Sequence, residues 1–261
     1  MSNERERTID LSVEVPGTPE EVWAAIATGP GISSWFATCD VEGRVGGTIT
    51  TDYGEHGKDT AHVTDWDPPR RLRGEAPFAD GTLAHEWLVE AREGDTCVVR
   101  VVASGFGTGD DWDAAYDGLS NGWRIFLENL RLHLVHFGGR QARMLHEVAP
   151  LPGATADAAW RSLCDALGVP AELRAGERFE VTADGVPALA ATVESVLPNA
   201  YMLRVEAPLP GTGFVSAERY AENVMLHVAL YLYGDDEIAN RAAATWATWL
   251  PTRFPAPASA H

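Results

Sequence analysis

The chain has 261 residues, 45% of them hydrophobic and nine of them tryptophan, with 20 Lys plus Arg against 38 Asp plus Glu for a formal charge of −18. That much apolar material supplies globular cores and argues against a disordered chain, while the acidity repels phosphate backbones and anionic lipid, so nucleic acid is not an expected partner. Cys39, Cys97 and Cys164 stand outside any CxxC spacing, the first ten residues have no signal-peptide core, and no apolar run reaches the ~18 residues of a membrane helix; a reduced, soluble, cytoplasmic chain is expected.

In chain order, "TIDLSVEV" alternates Ile9, Leu11, Val13 and Val15 against polar residues, the pattern of a half-buried strand. "PGTPEEVWAAIAT" follows as a helix, with Thr18 as cap, Pro19 at the first helical position, Glu21 completing a capping box, and Val22, Trp23 and Ile26 as its buried stripe. "GISSWFAT" adds a helical turn. "CDVEGRVGGTITTDY", "KDTAHVTDW", "RLRGEAP", "GTLAHEWLVEA" and "DTCVVRVVASGF" are then short strands separated by glycine and proline turns, which predicts an antiparallel meander. Pro68-Pro69 have no amide hydrogens for a ladder, so they end one strand and set the corner from which the next departs. "DWDAAYDGLSNGWRIFLENLRLHLVHFG" carries Trp123, Phe126, Leu127, Leu130 and Leu134 at helical steps and reads as a long amphipathic helix.

From residue 142 the order restarts: "ARMLHEVAPLPGATADAAWRSLCDAL" parallels the opening strand and helix, Trp160 falls where Trp23 fell, five further strands follow, and "DDEIANRAAATWATWL" closes as a helix. "VLPNAYMLR" aligns with "WDPPRRLR". An internal duplication accounts for this, with domains at residues 1–140 and 141–251 and a flexible tail at 252–261.

Across residues 7 to 137, "PGTPEEVWAAIAT", "WF", "GRVGGTI", "HVTDWDPPRRL", "HEWLVEAREGDTCVVRVVASGF" and "NGWRIFLENLRLHL" occur in an order that resembles the START-related, helix-grip (SRPBCC) superfamily, and within it bacterial homologues of the Aha-type chaperone ATPase activator. The second half is similar in layout only. The resemblance implies an α+β helix-grip fold, a curved antiparallel sheet wrapped around a long C-terminal helix, here duplicated in tandem, with an interior cavity that holds lipids, polyketides and other apolar molecules in many members.

On the strand "TLAHEWLVE", Leu83, His85, Trp87 and Val89 share one face, which is expected to face that cavity. His85 either orients a ligand from an aromatic wall or is a core histidine satisfied by a neighbour. Trp123, Phe126 and Leu127 should face the sheet as core or ligand wall, Trp112 and Tyr116 cover the mouth, and Trp35 and Phe36 match the family's "WF" as lid or core. His62 joins this set as a ligand contact. The acidic residues near the start of the long helix suit its dipole better than a metal. No HExxH, calcium-loop, GxSxG, P-loop or dinucleotide pattern is present, so neither a metal nor a cofactor is expected.

The function expected is non-catalytic binding of a small apolar or amphipathic molecule in the first domain. The alternatives are a polyketide cyclase or hydrolase with His85 as proton carrier, and an interaction protein like the chaperone ATPase activators. The last is disfavoured because the matched region starts within ten residues of Met1, with no room for a separate N-terminal chaperone-binding domain. Whether chains pair into a homodimer stays open.

Overall fold

The computed structural model describes residues 7–54, 57–182, 185–220 and 223–256, apart from the side chains at 110, 111, 114 and 220. It divides into two compact units, Met1–Gln141 and Ala142–His261. Each is a curled antiparallel sheet whose inner face is packed by helices, so the chain is an α+β protein with two such units in tandem.

Unit 1 opens with β1 (Ile9–Pro16), α1 (Pro19–Ala27) and α2 (Gly29–Ile32). The meander β2 (Thr38–Val41), β3 (Thr48–Asp52), β4 (Lys58–Asp67), β5 (Arg71–Phe78), β6 (Gly81–Arg92) and β7 (Thr96–Ser104) leads into α3 (Asp110–Phe137). The sheet order is β1-β7-β6-β5-β4-β3-β2, so the first strand pairs with the last and α3 returns over β1.

The predicted capping box is present: the Thr18 side chain accepts from the Glu21 amide at 3.3 Å, and the Glu21 carboxylate accepts from the Thr18 amide at 2.9 Å. It fixes the start of α1, whose Val22, Trp23 and Ile26 are buried against β6, β7 and α3. Leu127 and Leu130 of α3 join the same core, and full burial of such side chains contributes roughly 1.5–3 kcal/mol each.

The double proline forms the β4–β5 corner, where the Arg70 amide closes on the Asp67 carbonyl at 2.7 Å. A β-bulge lies between Val63 and Asp65, four residues ahead of Pro68. Bulges add local twist, and this one helps the sheet curl.

Unit 2 repeats the plan with β8 (Arg143–Pro152), α4 (Ala156–Leu167), β9 (Arg178–Glu180), β10 (Ala190–Leu197), β11 (Ala200–Ala207), β12 (Gly211–Tyr220), β13 (Asn223–Leu232) and α5 (Asp236–Arg253), in the sheet order β8-β13-β12-β11-β10-β9. Its corresponding hairpin has a bulge between Val193 and Ser195, again four residues ahead of a proline, Pro198. The matching bulge is a stronger sign of duplication than the shared proline. The first residues of the tail expected from 252 belong to the fold instead: α5 runs through Pro251 to Arg253, and Phe254 is buried in the core of unit 2. Residues 257–261 lie outside the described residues.

Candidate functional site

The inner face of unit 1 can be followed strand by strand through its register. One row across the sheet reads Val63, Gly74, His85, Ala103 and Ile9, and the next includes Leu72, Trp87, Val101 and Leu11. Leu83, His85, Trp87 and Val89 therefore share the inner face. Both residues flanking His85 are small. A side chain at Gly74 would meet only ordinary contacts, Ala61 Cβ at 3.4 Å and Ile49 Cδ1 at 3.6 Å from its Cβ, so the sheet itself leaves space beside the imidazole.

Helix α3 and the segment after α2 fill that space with rings. Trp123 lies edge-on to Trp87 and His85, with centroids 5.1 and 5.5 Å away. Phe36 stacks on Trp123 at 5.3 Å, with 24° between the ring planes, and meets Phe126 edge-on at 4.6 Å. Trp35 closes the group against Trp87 at 5.8 Å. Phe36, His85, Trp87 and Phe126 are only half-buried although they point inward, whereas Cys97, Val99, Val101 and Ala103 on β7 are fully buried. The residual exposure lies at these four rings, and Leu72 on β5 and Leu83 and Val89 on β6 are buried as well.

The polar atoms of these rings are handled unequally. Trp35 Nε1 donates to the Ala25 carbonyl at 2.9 Å, and its own carbonyl accepts from Asn129 Nδ2 at 2.7 Å, which anchors it as core. Trp123 Nε1 and His85 Nε2, by contrast, are shut from solvent without a hydrogen-bond partner. Leaving such a group unpaired costs ~1–3 kcal/mol. Burial pushes the His85 imidazole down to about 4, so it is neutral near pH 7.

The other expected site residues lie elsewhere. Leu127 is buried core behind the ring cluster. Leu83 and Trp112 belong to a separate cluster with Ile9, Ala103 and Phe106, against which Tyr116 packs. Trp112 corrects the expectation of a mouth cover: it is 3% exposed, its Nε1 donates to Asp80 at 2.9 Å, and its indole fits so closely over Gly107 that a Cβ there would sit 2.5 Å from Nε1. Its role is to lock the start of α3. His62 is also corrected. It is exposed on the opposite face from its inward neighbour Val63, because the side-chain period of two turns it outward. Gly74 was overlooked in the sequence, although a glycine inside a strand marks a place where something approaches closely. Among the described residues no group of three His, Cys, Asp or Glu side chains is placed to hold a metal.

On the inner face of unit 2, among the described residues, Val193, Leu203, Leu226, Val228, Leu230 and Trp246 are completely buried. A recess of about 250 Å³ lies at the edge of this core between α4 and the β10–β11 hairpin, with Asp157, Trp160, Arg161, Glu172, Val196 and Tyr201 among its lining residues.

A curled antiparallel sheet gripping a long C-terminal helix defines the fold of unit 1, the helix-grip α+β fold. Residues 16–134, within unit 1, match the family described as activator of Hsp90 ATPase homolog 1-like protein. Similar solved structures include protein MLL2253 from Mesorhizobium loti, 23% identical over 50% of this chain and 98% of its own, with a TM-score of 0.46. DynU16, from the dynemicin biosynthetic locus, is 17% identical over 94% of this chain and 96% of its own, TM-score 0.46. The di-domain ARO/CYC BexL from the BE-7585A biosynthetic pathway is 13% identical over 97% and 100%, TM-score 0.46. These likenesses are too distant to bear on activity or partners. No curated protein matches the chain. No helix among the described residues is long and apolar enough to cross a membrane.

Proposed function

We propose that unit 1 holds a small, flat, apolar or amphipathic molecule non-covalently between its sheet and α3, in the slot that Phe36 occupies against Trp123. The observation that carries this reading is the incomplete closure beside His85: inward rings left half-buried next to two small residues, Gly74 and Ala103. A pocket with aromatic walls and few polar groups is the usual form of a small-molecule site. Phe36 follows the anchored Trp35 in a short connecting segment, so its side chain is the ring that can rotate aside while the backbone stays fixed.

Binding is favoured over proton transfer by the surroundings of His85. Its cross-strand neighbours carry no charge, and the imidazole is held neutral well below the working pH of a general base. Calorimetric titration with naphthalene, a flat probe of about the size of an indole, tests the reading. Saturable binding with one molecule per chain is expected, and the absence of saturable binding would contradict it.

A further inference from the structure

The recess beside α4 in unit 2 is held in shape by its own hydrogen bonds. Trp160 and Tyr201 meet edge-on at 4.6 Å and form its wall. The polar atoms of both rings are engaged by the segment that follows α4. Trp160 Nε1 donates to the Ala171 carbonyl at 3.2 Å, while the Tyr201 hydroxyl donates to the Pro170 carbonyl at 2.9 Å and accepts from the Leu173 amide at 2.8 Å. These bonds fix the backbone on both sides of Glu172. The Asn199 side chain donates to Asp157 at 3.1 Å and ties the hairpin turn to the start of α4. The wall is therefore built before any ligand arrives, and its rings have no free donor.

The charges at this recess are left open instead. Asp157 stands four residues before Arg161 on α4, the spacing of a helical ion pair, yet its carboxylate is taken by Asn199. Among the described residues neither Arg161 nor Glu172 forms an ion pair, although both line the recess. We infer that this recess binds a small zwitterion, an α-amino acid with an aliphatic side chain. Its carboxylate goes to Arg161, its ammonium to Glu172, and its side chain lies against Trp160, Val196 and Leu197. A guanidinium takes a carboxylate through two parallel N–H···O bonds. A simple anion would meet Asp157, Glu172 and a chain of charge −18, and a simple cation would meet Arg161, so a molecule carrying both charges is favoured. The volume of about 250 Å³ is below the ~300–1,000 Å³ of sites for drug-sized ligands, which limits the occupant to this size. Val196, 48% exposed, gives the recess an apolar rim for the ligand to cover. This site belongs to unit 2 and does not depend on the slot proposed for unit 1.

The test titrates the intact chain with free leucine, leucinamide and N-acetylleucine at pH 7 and low ionic strength, where exposed charges are least screened. The three share one side chain; leucinamide lacks the carboxylate and N-acetylleucine lacks the ammonium. Wild-type protein should bind one leucine per chain about tenfold more tightly than either analogue, the factor expected of one charge-assisted hydrogen bond. Arg161→Gln should bring leucine to within about threefold of leucinamide and keep its advantage over N-acetylleucine. Glu172→Gln should do the reverse. Both residues are exposed, so neither variant threatens the fold. Absence of saturable leucine binding, equal affinity for leucine and either analogue in the wild type, or preferences that survive both substitutions would each overturn the inference.

Discussion

In unit 2 the inner row Val193, Leu203, Gly213, Leu230 and Leu145 crosses the sheet from its bulged strand to its first strand, and its leucines and valine are almost fully buried. The same row in unit 1, counted from the matching bulge, is Val63, Gly74, His85, Ala103 and Ile9. Leucine stands in unit 2 where glycine and alanine stand in unit 1, and the single glycine in unit 2 falls where unit 1 has histidine. Branched side chains interdigitate and leave no room. A row of glycine, histidine and alanine leaves a gap that only rings from α3 and the α2 connection reach, and they reach it imperfectly. The proposed slot of unit 1 and the solid core of unit 2 thus differ at three positions of one row.

Leu203→Ala in unit 2 should show the largest effect that sharpens this contrast. Its site is surrounded by packed neighbours, so a loss of about 2–5 kcal/mol is expected in denaturant unfolding. Trp87→Ala in unit 1, although it removes a larger side chain, should cost less than a fully buried tryptophan because Trp87 is half-buried. The reverse order would mean that unit 1 is the better packed.

Acidity provides the second test. His85 is held near 4 when folded, below its unfolded value of ~6.5. The unfolded chain therefore binds the extra proton first, and stability is complete above ~6.5 and declines as the pH falls towards 4. Between pH 7 and 5 the stability of wild-type unit 1 should fall by about 2 kcal/mol more than that of His85→Gln, as read from urea midpoints at the two values. An identical decline in both proteins would show that His85 is not the buried neutral group.

Gly74→Leu imports the residue of unit 2 into unit 1. The Cβ has room, and the rest of the side chain should fill the slot, weakening naphthalene binding at least about tenfold while the melting temperature stays the same or rises. Unchanged affinity would place the ligand elsewhere. The smallest expected difference lies at the helix starts. Thr18→Ala breaks a reciprocal capping box and should cost about 1 kcal/mol, whereas Thr155→Ala, whose third helical residue is Ala158 and returns no bond, should cost about half as much.

Much of this architecture was legible in the chain because it depends on local chemistry. Thr18 with Glu21 marks a helix start, the alternation through Leu83, His85, Trp87 and Val89 fixes which way each points, and Pro68-Pro69 can only end a ladder. The placement of the residues expected at the proposed site was legible in part. Phe36, His85, Trp87, Trp123 and Phe126 do meet, but Trp112 was misplaced because the pairing of its indole with Asp80, 32 residues away, leaves no trace in local periodicity. His62 faces outward because it is adjacent on the strand to the inward Val63. Gly74 and Ala103 were missed because their importance comes from lying opposite His85, and register across a sheet is set by the bulge at Val63 and Asp65 rather than by any run of adjacent residues.

The central claim, that unit 1 admits a flat molecule and unit 2 does not, is tested most directly by following backbone and indole N–H resonances during a naphthalene titration. The slot predicts saturable shifts at Gly74, His85, Ala103 and the Trp123 indole, with Trp246 and Leu203 unmoved. Shifts centred on unit 2, or none at the Trp123 indole while the probe binds, would contradict it.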